Sequence, residues 1–326
     1  MPPIHEPSGG VERVLALRSF PVFWDLSPQD LAVVAEHTTP HVFGAGAPLL
    51  RPGMPVRSLH FLLGGRVQIL RDGKAHRDAV SPEIVGGLAA LAQEPGGEHA
   101  VAAEDTLTLQ LERDDMEDIF EDRFVIFLAT LRAIARAQIG LRRGLGGDAG
   151  YPPPEKVRRS VDRPSARIPC AGAEPARAVA DLDLVGRLFL LRRTMDFARA
   201  RVEALADIAQ ESRVITLAVG EVLWRAGDVA DHGLLLADGI VTCTSDRGDQ
   251  RFGFGPGALM GGVDSVANER RWFDATAAEP VRGLRIETQR LLDTMEDNVE
   301  LAMDVLRSFA RGSLELEERS GTRIAF

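Results

Sequence analysis

The segment FGAGAPLLRPGMPVRSLHFLLGGRVQIL, starting at Phe43, returns downstream as LAVGEVLWRAGDVADHGLLLADGIVTC, starting at Leu217. A shift of 174 positions pairs Gly46 with Gly220, Leu49 with Leu223, Arg51 with Arg225, Gly53 with Gly227, Gly65 with Gly239 and Val67 with Val241. After one inserted residue the shift is 175. It then pairs Gly73 with Gly248, Gly86 and Gly87 with Gly261 and Gly262, Glu104 with Glu279, and LQLE at 109–112 with LRIE at 284–287. So many glycines do not fall into register by chance, and the chain is read as a tandem repeat of one unit.

Each copy has the same grammar. Short helices come first: Ser27 is placed to cap SPQDLAVVAEHTT, and ARARVEALADIAQES is its counterpart. Short apolar runs cut by glycines follow, the punctuation of a small antiparallel sandwich or barrel. A long helix closes each copy, over 114–143 and 287–317. The fold class expected is mainly β with helices (α+β): two antiparallel β-rolls, each flanked by N-terminal helices and a long C-terminal helix. The expected division is residues 14–142, a linker at 143–180, residues 181–317 and a tail at 318–326. The linker is rich in Gly, Pro, Ala and Arg and carries a proline triplet at 152–154, so it is read as partly extended and flexible.

Composition narrows the function. An apolar fraction of 45% with 26% charged residues is that of a globular protein. The formal charge of −10 argues against nonspecific nucleic-acid binding, which needs a basic surface. No secretory signal opens the chain and no run of continuous apolar residues reaches membrane-span length, so membrane insertion is not expected. Two cysteines, Cys170 and Cys243, are too few for a disulfide framework, and the expectation is a reduced, cytoplasmic protein. Arginine far outnumbers lysine, read as the codon bias of a GC-rich, bacterial genome.

The glycine ladder, the phrase EDTLTLQLERDDMEDIF at 104–120 and the position of the double glycines resemble the cyclic-nucleotide-binding domain of catabolite-activator-type regulators and protein kinase A regulatory subunits. That resemblance implies a phosphate-binding cassette: a short helix entered by Phe-Gly-Glu, then Arg-Ser-Ala or Arg-Thr-Ala about ten residues on. The helix N–H groups and the arginine fork hold the cyclic phosphate, and the glutamate accepts from the ribose hydroxyl. Both copies depart from it. Copy one reads VGGLAALAQEPGGEHAVAAEDT, with Gly86 and Gly87 at the entry, Gly87 in place of the glutamate and Gly96 near the arginine position. Copy two reads MGGVDSVANERRWFDATAAEP, with Gly262 in place of the glutamate, Arg271 at the arginine position, and Trp272 and Phe273 in place of small residues. A lost charge-assisted hydrogen bond is worth about 1.5–3 kcal/mol, so both cassettes are expected to be degenerate, copy one vestigial.

For copy two the candidate ligand-binding residues are Gly261, Gly262, Arg271 and Trp272, and the ligand a cyclic nucleotide or another phosphate-bearing molecule. Bland readings stand beside these. The glycines serve as turn residues; Arg271 is solvated, or pairs with Asp264 or Asp274; Trp272 is an interior or interface residue. No cofactor, metal or catalytic group is expected. The seven histidines never form HxH, and CxxC, HExxH, GxSxG and Walker motifs are absent. Arg158-Arg159-Ser160 superficially resembles a basophilic kinase site, and a solvated linker is the favoured reading. The regulators resembled here follow the long helix with a helix-turn-helix, whereas this chain stops at ERSGTRIAF. The expectation is a non-enzymatic regulatory or scaffolding protein acting through a protein partner, or through self-association of the long helices. The rival is a ligand-gated regulator.

Overall fold

A computed structural model describes residues 7, 9–71, 73–93, 98–145, 147, 150–162, 182–194, 197 and 199–322. Cys170, Gly96, all of the expected linker beyond 162 and the last four residues of the tail lie outside the described residues.

The first repeat runs α1 (Gly10–Leu17), a 3-10 turn (Pro21–Phe23), α2 (Pro28–Glu36), β1 (Thr39–Phe43), β2 (Pro48–Leu50), β3 (Ser58–Gly64), β4 (Arg66–Arg71), β5 (Lys74–Val80) and β6 (Ile84–Val85). It continues with α3 (Gly87–Ala92), β7 (Glu98–Ala102), β8 (Thr106–Glu112), α4 (Arg113–Asp122) and α5 (Phe124–Gly144). After α6 (Pro154–Asp162), the second repeat runs α7 (Leu184–Arg192), α8 (Val202–Glu211), β9 (Arg213–Leu217), β10 (Val222–Trp224), β11 (His232–Asp238), β12 (Val241–Ser245) and β13 (Arg251–Phe254). It ends with β14 (Leu259–Met260), α9 (Gly262–Val266), β15 (Phe273–Ala277), β16 (Val281–Glu287), α10 (Thr288–Asp297) and α11 (Val299–Ser320).

Each repeat folds its strands into two antiparallel sheets. Those of the first are ordered β1-β8-β3-β6 and β2-β7-β4-β5, those of the second β9-β16-β11-β14 and β10-β15-β12-β13. The expected pair of helix-flanked β-rolls is present. Alternation does the sorting: in β4, Val67 and Ile69 are fully buried between less buried neighbours, and they join Leu50, Val56, Leu62, Ala79, Val85, Ala90 and Ala100 in the first roll's interior. Ser27 caps α2 as expected, its side chain accepting from Asp30 N at 3.2 Å with Pro28 in the first helical position.

The glycine ladder has a geometric cause. Gly65 and Gly239, equivalent in the repeats, both turn with positive φ, and a Cβ there would lie 2.5 Å from Asp105 O and 2.2 Å from Pro280 O respectively. Alanine at Gly239 meets both a left-handed backbone and a rigid carbonyl. Gly239→Ala is therefore expected to destabilise the protein by about 1–3 kcal/mol, read as a lowered urea midpoint at unchanged slope.

The long closing helices differ from expectation. Each is two helices, broken at Arg123 (φ −138°, ψ 80°) and Asn298 (φ −136°, ψ 85°), again at equivalent positions. Helix α5 is long and apolar enough to cross a membrane by length and composition, and Phe127, Leu131, Ile134 and Ala135 on it are buried.

By contacts, the chain divides into two compact units. One contains the residues up to Ala137 with Leu306–Glu317 of α11; the other contains Gln138–Val305 with Glu318–Thr322. Within the first unit, Arg311 donates to the carbonyl of Ala92 at the end of α3 (3.4 Å), and Arg307 lies 3.9 Å from Glu117. A cation at a helix C-terminus meets the negative end of the helix dipole. In the second unit, residues expected to form a flexible linker are built in instead, with α6 starting at Pro154 and Pro154 and Val157 buried. Proline breaks a helix only in its interior, and Pro154 stands where a helix tolerates it.

Candidate functional site

The second cassette is built from the turn outward. Strand β14 runs into Gly261, which adopts φ 72° as the N-cap of the one-turn helix α9; the chain then turns at Asn268 (φ 56°) and reaches Arg271 ahead of β15. A Cβ on Gly261 would lie 2.4 Å from Arg271 Nη1 and 2.7 Å from Trp224 Cη2, so this glycine is required by packing as well as by φ. Gly262 has only ordinary contact with Leu259.

Arg271 is 2% exposed, and both its terminal nitrogens donate inside the fold. Nη1 donates to Gly261 O (2.7 Å) and to Asp264 Oδ2 (3.3 Å), and Nη2 donates to the carbonyl of His232. The guanidinium stacks on Trp224, with Cζ 3.9 Å from the ring centroid. Burial pulls the Arg271 pKa down, while the Asp264 carboxylate beside it holds it up. Asp264, also 2% exposed, has its carboxyl pushed up by burial; Arg271 and a hydrogen bond from Trp272 pull it back. Asp264, rather than Asp274, is the partner: Asp274 accepts from Ala226 N at 2.7 Å.

Trp272 is buried, stacked on Phe252 (centroids 5.4 Å, 27°) and edge-on to Phe273 (5.1 Å, 80°). Gly261, Arg271 and Trp272 therefore do come together, around a carboxylate the protein supplies itself. Two donors stay open: Trp224 Nε1 and Arg271 Nε are buried and have no hydrogen-bond partner among the described residues. Trp224 was not anticipated. Its signal was its pairing with Leu50 in the repeat, an aromatic where the other copy has an aliphatic residue.

The first cassette keeps the turn without the charges. Gly86 caps α3 with φ 83°, and a Cβ there would lie 3.2 Å from Leu50 Cδ2, 3.2 Å from Ser58 O and 3.3 Å from Val56 Cγ1. Gly87 is buried at the first position of α3. At the 175-residue shift Asp264 corresponds to Ala89 and Arg271 to Gly96. Both halves of the ion pair are missing together, as physics requires: deleting one half of a buried pair strands the other. Among the described residues no group of three or more His, Cys, Asp or Glu side chains is placed to hold a metal ion.

The sequence model of the family described as cyclic nucleotide-binding domain matches residues 40–123 and 214–298. No curated protein matches the chain. Similar solved structures include the regulatory domain of Toxoplasma gondii PKA with cAMP (14% identity over 93% of this chain and 97% of that one, TM-score 0.34). Another is the regulatory subunit of a cAMP-independent protein kinase A from Trypanosoma cruzi bound to guanosine (13% identity, 98% and 96%, TM-score 0.34). The N-terminal domain of a transcriptional regulator from Streptomyces coelicolor A3(2) is similar to a smaller part (27% identity, 41% of this chain and 96% of that one, TM-score 0.36).

Proposed function

The chain belongs to the cyclic nucleotide-binding domain family, and from that premise we propose that it is a non-enzymatic regulatory or scaffolding protein of a bacterial cytoplasm. Its two rolls act as protein-binding surfaces, through a protein partner or self-association of the closing helices α4–α5 and α10–α11. The observation that carries this reading is the state of Arg271. Both terminal nitrogens that a cyclic phosphate would use already donate inside the fold, to Gly261, His232 or Asp264. An incoming anion has to displace a buried carboxylate, and the ribose meets Gly262 where the family's glutamate would stand.

The test is calorimetric titration of the protein with cyclic AMP and cyclic GMP, with thermal unfolding alongside. The expected result is no saturable heat and no rise in Tm up to about 1 mM ligand.

A second reading is a ligand-gated regulator using Gly261, Gly262, Arg271 and Trp272. It is favoured by the two buried donors without acceptors, Trp224 Nε1 and Arg271 Nε, since such groups are rare unless something accepts from them. Micromolar binding that is lost in Arg271→Lys, which keeps the charge and removes the fork, would establish this reading and overturn the first.

A further inference from the structure

The segment ahead of the second repeat lies against the outer edge of β13. Gly147 O accepts from Arg251 N at 2.9 Å and Pro152 O accepts from Gly253 N at 3.0 Å, with a parallel bridge pairing Gly147 with Gln250. Strand β13 is the last in its sheet, so these bonds satisfy an edge that would otherwise be open. Tyr151 is the anchor. Its ring stacks on Phe252 (5.0 Å, 27°), meets Phe254 edge-on (5.0 Å, 62°) and lies 3.8 Å beneath the Arg142 guanidinium. Phe252 in turn stacks on Trp272, the chain neighbour of Arg271, which pairs with Asp264.

Three further contacts seat the segment. The buried Gln250 amide donates to the carbonyls of Arg142 (2.9 Å), Arg143 (3.5 Å) and Leu145, capping the C-terminus of α5 from the start of β13. Arg143 pairs with Asp246 in the β12–β13 turn. Pro154 rests on Gly253, where a Cβ would come within 3.1 Å of Pro154 Cα.

We propose that Gly147 and residues 150–154 are a latch. They occupy in cis a strand-edge and aromatic site on the second roll that fits an extended peptide carrying an aromatic side chain. Backbone bonds to a sheet edge with alternate side chains in pockets are a general mode of peptide recognition. Here the peptide is part of the same chain, and the site opens only when Tyr151 leaves Phe252. The latch stands whether or not the cassette beneath it binds a nucleotide.

The test uses the full chain carrying Trp24→Phe, which leaves Trp224 and Trp272 as the tryptophan probes. Acrylamide quenching of their fluorescence is expected to rise at least about two-fold in Tyr151→Ala, because the interior behind Phe252 becomes reachable. A synthetic peptide of residues 145–157 added in trans is expected to bind this variant saturably and restore the protection. The same peptide with alanine for the tyrosine is expected to do neither. Gly253→Val, which unseats Pro154 without touching Tyr151, is expected to raise quenching beyond rescue by the peptide. Unchanged quenching in both variants, or equal rescue by the two peptides, overturns the latch.

Discussion

Replacing Arg271 with methionine is expected to destabilise the protein by about 3–5 kcal/mol, because it leaves the Asp264 carboxylate buried at 2% exposure with its cation gone. Removing the carboxylate instead, in Asp264→Ala, strands the guanidinium, and a loss of similar size is expected. The two losses do not add. In Asp264→Ala combined with Arg271→Met neither charge remains to be solvated, and the stacking surface of Trp224 keeps an apolar neighbour. The double variant is expected to lie about 2 kcal/mol or more above the sum of the singles, a coupling read from urea curves of the four proteins. Ala89 and Gly96 already stand at the two positions in the first repeat, so this is an experiment the chain has carried out on itself. Additivity within about 0.5 kcal/mol would mean the pair is not coupled. The pH dependence gives an independent check. Burial raises the Asp264 pKa, so between the ordinary carboxylate value and that raised value the folded state holds the proton more tightly than the unfolded chain. Asp264 therefore lowers stability as pH rises through that window. The slope is expected to steepen in Arg271→Met and to vanish in the double variant.

The features that were legible in the sequence are those fixed by backbone geometry. Gly46 and Gly220, Gly53 and Gly227, Gly65 and Gly239, Gly73 and Gly248, and Gly86 and Gly261 all take positive φ in both copies, and a backbone requirement of that kind leaves the same letter at the same place. The Ser27 cap and the cassette turns were readable for the same reason. What escaped depends on tertiary partners. Trp224 and Arg271 stack from strand β10 and the loop after α9, and neither local pattern announces the other. The Arg123 and Asn298 breaks involve no proline or glycine, so the periodicity ran through them. Tyr151 sat in a stretch whose Gly and Pro content reads as linker, yet glycine and proline also suit a strap lying along an edge strand. The choice between Asp264 and Asp274 for Arg271 was open in sequence because both lie within reach of the loop. It is settled by α9, whose first turn holds Asp264 beside the guanidinium.

Acidification from pH 6.5 to pH 4 is expected to remove about 3 kcal/mol of stability through one side chain, His60. His60 lies on β3 on the same face as Leu62, is 3% exposed, and meets the edge of Phe43 at 5.3 Å. Its hydrogen-bonding neighbours among the described residues are weak ones, Ser58 Oγ and Thr108 Oγ1, each at 3.5 Å. Burial, with a smaller contribution from the nearby His41, lowers its pKa from 6.5 to about 4. The unfolded chain therefore takes up a proton near pH 6.5 that the folded protein refuses until about pH 4. The sign follows: stability is full above pH 6.5 and is lost as pH falls, at about 1.4 kcal/mol per unit inside the window. His60→Gln keeps a polar side chain of similar length without the titration. It is expected to cost some stability at pH 7 and to flatten the acid limb, so that the two proteins approach or cross near pH 4.5. Urea midpoints of both proteins across this range decide it. If His60→Gln loses stability with acid in parallel with the wild type, the acid sensitivity resides elsewhere, and His60 is either protonated in the folded state at ordinary pH or solvated in a way its 3% exposure does not suggest.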